Sequence, residues 1–310
     1  MAPSTEPLTV RTRFAPSPTG DLHLGGAWTA LASWVVARRV GGTTVLRIED
    51  IDRARVLPGS QARIEEDLRW LGLDWDEGPE RQSDRSAGYE RALEVLGRAG
   101  LLYPCDCSRA EVARVASAPH AGEETVYPGT CRDRGSSRRM KRPPAIRVRV
   151  PRATLAYRDG CMGDVSQDLH EQVGDFVVRR GDGVFAYHLA VVVDDLDMGI
   201  TEVVRGADLV PSTPRQIWLA RALGRSTPVY THVPLVVDPR GSRLEKRAAG
   251  TTVRELREAG LAPERVVGVL GHALGLSASD APATAARLAE ACRDRPIVWR
   301  RSPWPIPARW

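Results

Sequence analysis

The stretch RFAPSPTGDLHLGG, residues 13–26, decides how this chain is read. Residues 10–15 have the character of a short strand. Pro16, Ser17, Pro18, Thr19 and Gly20 break it, and residues 27–40 follow as an apolar helix rich in Ala, Trp and Leu. Gly25 and Gly26 just ahead of a helix leave backbone N–H groups unpaired and let a flat base or a phosphate come close to the chain. His23 stands beside them, aimed at the same space. Alone it would be an ordinary surface or capping histidine. Within a run of Pro breaks and paired Gly it becomes a candidate for gripping a nucleotide.

Outward from this run, strand and helix patterns alternate. Residues 43–48 read as a buried strand, 60–71 as a helix with Ser60 as N-cap, and 89–99 as an amphipathic helix. Such alternation implies a doubly wound α/β fold with a parallel sheet. From Cys105 to Arg149 the chain turns polar, Arg-rich and punctuated by Gly and Pro, which marks an insertion. Strand character returns at 146–150, 176–179, 191–193 and 231–237, with a helix at 213–223. Two more helices are expected at 253–259 and 263–274. Divided by pattern, residues 1–104 and 191–250 are expected to form two halves of one α/β domain, 105–190 an insertion and 251–310 a helical extension.

Composition bounds the rest. The 310 residues are 42% hydrophobic and carry a net charge of +5, which permits a nucleic-acid partner without requiring one. No apolar window is long enough to span a bilayer, and the N-terminus lacks the basic head and apolar run of a signal peptide. A cytoplasmic monomer with no membrane association is expected. Five Cys form no disulfide framework. Three of them, Cys105, Cys107 and Cys131, can supply three corners of a tetrahedral zinc site. His120 is a chemically ordinary fourth ligand, and three reduced thiols buried as small hydrophobes are the plain alternative. Asp194, Asp195 and Asp197 read as an acidic patch at a helix entry rather than a metal cluster.

Residues 13–26 resemble the first signature of class I aminoacyl-tRNA synthetases, the HIGH motif, here His23-Leu24-Gly25-Gly26. More narrowly they are similar to the glutamyl branch, in which RFAPSPTG precedes the motif and an RIEDxD run follows the next strand. Arg47-Ile48-Glu49-Asp50-Ile51-Asp52 stands at that place. Residues 243–247, Arg243-Leu244-Glu245-Lys246-Arg247, resemble the second signature, KMSKS, with Glu245 where that motif has Ser. The resemblance implies a Rossmann-type parallel sheet that binds ATP with Mg²⁺ and L-glutamate. ATP would meet His23, Gly25, Gly26, Arg243 and Lys246, with His23 and Lys246 catalytic. Glutamate would meet Arg13, Phe14, Ala15, Pro16, Ser17, Glu49, Tyr187 and Arg205. Two guanidinium groups and one acid match a dicarboxylate zwitterion.

Only residues 247–310 follow Lys246, which leaves space for a helical extension rather than an anticodon-binding domain. On that ground the chain resembles the truncated glutamyl-queuosine tRNA(Asp) synthetases, whose CxC…YxxxC pattern makes Tyr127 the fourth zinc ligand beside Cys105, Cys107 and Cys131. The partner implied is tRNA(Asp) carrying queuosine. Arg132, Arg134, Arg138, Arg139, Lys141 and Arg142 are candidate phosphate contacts or a solvated loop. Two other functions fit the same motifs. One is a short ligase passing glutamate to tRNA(Glu) or another acceptor, and the other a non-catalytic zinc-bearing RNA-binding paralogue.

Overall fold

A computed structural model describes residues 9–115, 126–135, 138–238, 241, 252–307 and 310. Strand β1 (Arg11–Phe14) leads through the Pro-rich turn into α1 (Leu24–Arg38), and β2 (Thr43–Ile48) returns parallel to β1 with Arg13 opposite Val45. Gly42 permits this return, since a Cβ there would fall 2.3 Å from the Val10 carbonyl oxygen. Helix α2 (Ser60–Trp70) then crosses to β3 (Glu77–Arg81), parallel to β2, and α3 (Ser86–Arg98) follows. These are right-sized units for the doubly wound fold that the sequence implies.

The parallel pattern is then interrupted. Strands β4 (Leu102–Cys105) and β5 (Ala145–Val148) pair antiparallel, with helix α4 (Arg109–Val115) between them in the chain. The hairpin β6 (Thr154–Asp159) and β7 (Gly163–Asp168) comes next, and β8 (Phe176–Arg179) pairs antiparallel with β5. The chain re-enters the parallel body through α5 (Tyr187–Asp197), β9 (Glu202–Gly206), α6 (Thr213–Ala222) and β10 (Val229–Val233), with β10 parallel to β9. Strand β9 lies beside β1, where the Thr201 N–H donates to the Arg11 carbonyl at 2.9 Å.

The remaining elements are β11 (Val236–Val237), α7 (Val253–Glu258), α8 (Pro263–Leu274), α9 (Ala285–Ala291) and β12 (Trp304–Pro305). Helix α1 is buried along most of its length, and its core cluster joins residues of β2, α2, α8 and α9. Strand β12 pairs parallel with β11, and the Trp304 ring stacks on Trp28 of α1 at 5.3 Å. Residues 304–305, in a C-terminal stretch rich in Pro, Trp and Arg, thus brace the first helix. No helix among the described residues is long and apolar enough to cross a membrane.

Several local expectations are corrected. Helix α1 begins at Leu24, so Gly25 and Gly26 lie in its first turn and His23 is its N-cap. Gly59, at φ 73°, caps α2 in place of Ser60, whose hydroxyl instead donates to the Gly20 carbonyl. The expected strand at 191–193 lies inside α5, because a short apolar run buried on every side has no period to tell strand from helix. The acidic trio consequently sits at the C-terminal end of α5, not at a helix entry. The expected strand 231–237 divides into β10 and β11 around Pro234, which has no N–H to continue a ladder.

The trio also has a defined task. Arg47 is fully buried, its Nη1 donates to Asp195 Oδ1 at 2.7 Å, and its Nε lies 3.8 Å from Asp194 Oδ2. Asp194 accepts further hydrogen bonds from Arg85 Nε at 2.6 Å, Gln82 Nε2 at 2.7 Å and the Tyr89 hydroxyl at 2.9 Å. Burial alone would raise the Asp195 pKa, but Arg13 and Arg47 outweigh it and hold the group below its usual value. Removing one member of such a network leaves a buried charge uncompensated. Asp195→Ala is therefore expected to lower stability by about 3–5 kcal/mol, to be measured by urea unfolding monitored by tryptophan fluorescence.

Candidate functional site

A cavity of about 500 Å³ opens at the N-terminus of α1, at the ends of β1 and β9. Arg13, Phe14 and Ala15 enter it from β1 and the turn after it, His23, Gly25 and Gly26 from the helix start, and Glu49 from the end of β2. Tyr187 comes from the start of α5 and Arg205 from β9. The fold thus brings together residues separated by nearly two hundred positions. A Cβ built on Gly25 meets no atom within 4 Å, so this glycine keeps open space where the helix N-terminus faces the cavity.

The charges in the cavity are fixed by partners behind it. Arg13 donates from Nε to Asp195 Oδ1 at 3.0 Å and from Nη1 to the Val204 carbonyl at 3.4 Å. Arg205 donates from Nε to His232 Nε2 at 3.0 Å and from Nη2 to Thr213 Oγ1 at 2.7 Å. Its Nη1 is buried and has no hydrogen-bond partner. A buried donor of this kind is costly unless a ligand satisfies it, and a carboxylate is its best match. Glu49 lies 3.4 Å from Arg47 through Oε1. Burial raises its pKa despite the nearby Arg47 and Arg13, so an ammonium group brought to it would gain a strong partner.

Two expected contacts are placed differently. The Pro16 carbonyl accepts the Glu49 N–H at 2.9 Å and so sets the position of that acid. Ser17 lines a second cavity of about 780 Å³, which shares Glu49 and Tyr187 with the first. Arg55, Arg109, Arg147 and Arg180 line this second cavity, and sequence reasoning missed all four. They are scattered through an Arg-rich chain with nothing local to mark them. Trp28, Pro234, Leu235 and Val236 of the first cavity were also missed, since only the fold carries them there. Arg243, Glu245, Lys246 and His120 lie outside the described residues.

Cys105, Cys107 and Cys131 converge, with their sulfurs all within 4.8 Å of one another. Cys107 Sγ lies 3.5 Å from Cys131 Sγ, and Tyr127 Oη lies 3.3 Å from Cys105 Sγ and 3.8 Å from Cys107 Sγ. Tyr127 sits on a segment that bridges to Gly174, and the Arg147 guanidinium covers its ring at 3.7 Å. The three cysteines can hold a metal ion. The other two thiols, Cys161 and Cys292, are buried elsewhere, and all five cysteines are free. Of the basic residues after Cys131, Arg132 pairs with Asp175, Arg138 with Asp106, and Lys141 and Arg142 with Glu111. All four pair with acids between residues 106 and 175.

Comparison with known proteins points the same way. The family described as tRNA synthetases class I (E and Q), catalytic domain, matches residues 9–287. The chain is 48% identical over 281 residues to the glutamyl-Q tRNA(Asp) synthetase of Nitratidesulfovibrio vulgaris, covering 86% of this chain and 87% of that protein. It is 54% identical over 246 residues to the protein of the same name from Geobacter sulfurreducens, covering 79% and 78%. The glutamate-tRNA synthetase structure from Elizabethkingia anophelis superposes with a TM-score of 0.82 at 28% identity, over 97% of this chain and 68% of that one.

The unpaired Arg205 Nη1 generates a direct expectation. Arg205→Met keeps the bulk of the side chain but removes the donor. It is expected to weaken binding of a carboxylate amino acid to this cavity by about 10- to 100-fold, measured by isothermal titration calorimetry.

Proposed function

The chain belongs to the class I tRNA synthetases (E and Q), and we propose that it activates L-glutamate with ATP and passes the glutamyl group to the queuosine base at the anticodon wobble position of tRNA(Asp). The observation that carries this reading is the cavity in which Arg13, the unpaired Nη1 of Arg205 and the largely buried Glu49, 13% exposed, meet at the N-terminus of α1. Two cations and one anion complement glutamate's two carboxylates and one ammonium. The names of the relatives supply the acceptor.

In this reading Glu49 holds the α-ammonium, while Arg13 and Arg205 hold the carboxylates. The helix N-terminus with Gly25 and Gly26 takes the nucleotide, and His23 lies beside it. Lys246 and Arg243, from the second motif, are assigned to the phosphates from sequence. The α-carboxylate attacks the α-phosphorus in line, the bond to the bridging oxygen breaks, and pyrophosphate leaves with glutamyl-adenylate formed. The protein's contribution is position and preset positive charge, with no general acid–base pair required. Class I synthetases use ATP with Mg²⁺, which neutralises phosphate charge when bound. The second cavity adjoins the activated carboxyl at Glu49 and Tyr187, and four arginines line it. It is the space we assign to the acceptor nucleotide.

Residues 105–190 are taken as the insertion, and its donor set fits zinc. A tetrahedral ion with Zn–S bonds of about 2.3 Å places its sulfurs about 3.8 Å apart. The Cys107–Cys131 separation of 3.5 Å and the Tyr127 distances of 3.3 and 3.8 Å lie close to that. Cys105, Cys107, Tyr127 and Cys131 would close all four positions, so the ion would be structural and would not activate water. Purified protein is expected to carry one zinc per chain by plasma emission spectrometry. Cys131→Ala should lose the metal and melt at lower temperature, because binding free energy at such sites is folding free energy.

The deciding assay is pyrophosphate exchange followed by transfer of labelled glutamate. Exchange is expected to depend on glutamate and to proceed without RNA. Label should accumulate on tRNA(Asp) carrying queuosine and not on the same tRNA lacking it. Label on unmodified tRNA(Glu) would replace the proposed acceptor. Absence of any exchange would favour the non-catalytic RNA-binding reading.

A further inference from the structure

Behind Arg205 lies a buried chain of side chains that belongs to neither motif. His232 stands opposite Arg205 in the β9–β10 register, and both are almost completely buried. Its Nε2 receives Arg205 Nε at 3.0 Å and lies 3.0 Å from Thr213 Oγ1. On the other side, its Nδ1 lies 2.5 Å from Asp159 Oδ2, at the end of β6. Asp159 is itself fixed, because its Oδ1 accepts the backbone N–H groups of Cys161 at 2.9 Å, Met162 at 2.8 Å and His232 at 3.1 Å.

The proton positions follow from donor chemistry. Arg205 can only donate, so His232 Nε2 must present its lone pair, and the ring proton must sit on Nδ1 facing Asp159. Burial holds the imidazole neutral, with the Arg205 charge adding to that effect against the pull of Asp159. Thr213 takes the Nη2 edge of the same guanidinium and passes its own proton to the Leu209 carbonyl at 3.2 Å. With Nε and one Nη2 proton engaged, Nη1 is the guanidinium nitrogen left without a hydrogen-bond partner.

We infer that Asp159, His232 and Thr213 are positioning residues that fix the Arg205 guanidinium so that Nη1 meets a carboxylate of the bound amino acid. This rests on the glutamate reading of the cavity. Asp159 sets the imidazole tautomer, the imidazole holds Nε, and the hydroxyl holds Nη2. None of the three needs to touch substrate.

Asp159→Asn is the informative variant because its orientation is dictated. The three backbone N–H groups at Oδ1 demand the amide oxygen there, so the amide N–H₂ must face His232 Nδ1. That moves the ring proton to Nε2, where it opposes the Arg205 Nε–H, and the guanidinium must turn away. The expected result is a KM for glutamate raised about tenfold or more, with the KM for ATP in pyrophosphate exchange little changed. His232→Gln offers an amide oxygen to Arg205 and an N–H to Asp159, and by itself should retain most of the glutamate affinity. Thr213→Val, which removes the Nη2 acceptor together with the hydroxyl's bond to the Leu209 carbonyl, should reproduce the selective loss if Asp159→Asn does not fold.

Glutamate binding to each protein by calorimetry supplies the second readout. If the wild-type protein binds no glutamate, the proposed function fails and this inference with it. Should the wild-type bind while the Asp159→Asn and Thr213→Val proteins bind equally well, the positioning role alone is overturned. A parallel fall in glutamate affinity, ATP affinity and melting temperature would also overturn it, marking these residues as structural.

Discussion

The rest of the site depends on one buried electrostatic arrangement, the contact of Arg47 with Asp194 and Asp195. Arg47 projects from β2 and the aspartates from the end of α5, elements separated by about half the chain. Ion pairs in the interior are weak evidence for stability, since desolvation offsets much of their attraction. Their value here is geometric. Asp195 shares its Oδ1 between Arg47 and Arg13, so one carboxylate orients both guanidinium groups. Arg47 also faces Glu49 two residues along the same strand. The charges that line the cavity are therefore set from behind, before any ligand arrives.

Preset charge is what phosphoryl and acyl activation asks of a protein. The reaction assigned here needs little proton transfer and much alignment, and alignment is supplied by groups that cannot reorganise. Arg205 illustrates the point, with two edges held by buried partners and the third unpaired. Arg13 is held the same way by Asp195 and the Val204 carbonyl. Both cations are oriented by neighbours on β9, β10, α5 and α6, all in the later half of the chain.

Residues 105–147 and the C-terminal residues extend the same logic. Arg147 covers the Tyr127 ring beside the cysteine cluster and also lines the second cavity. The state of the cluster therefore bears on the wall of the space assigned to the acceptor. At the other end, Trp304 stacks on Trp28, and Trp28 lines the first cavity. A tail without helix or motif signal thereby supports the helix that carries His23, Gly25 and Gly26.

Local sequence determined the strand-turn-helix at residues 13–26 and the parallel units around it, while the grouping of Arg13, His23 and Glu49 came from the resemblance to the glutamyl branch. Pro breaks, paired Gly and apolar periodicity act within a few residues, so they are legible without the fold. The cysteine spacing was legible too, because thiols so close in the chain have few other uses. Tertiary structure alone decided that residues 191–193 are helix, that Asp194 and Asp195 bind arginines, and that Asp159 and His232 stand behind Arg205. Each of those outcomes depends on partners far away in the chain. A continuous apolar run has no period to read, and a lone acid or histidine has no meaning until packing supplies its neighbours.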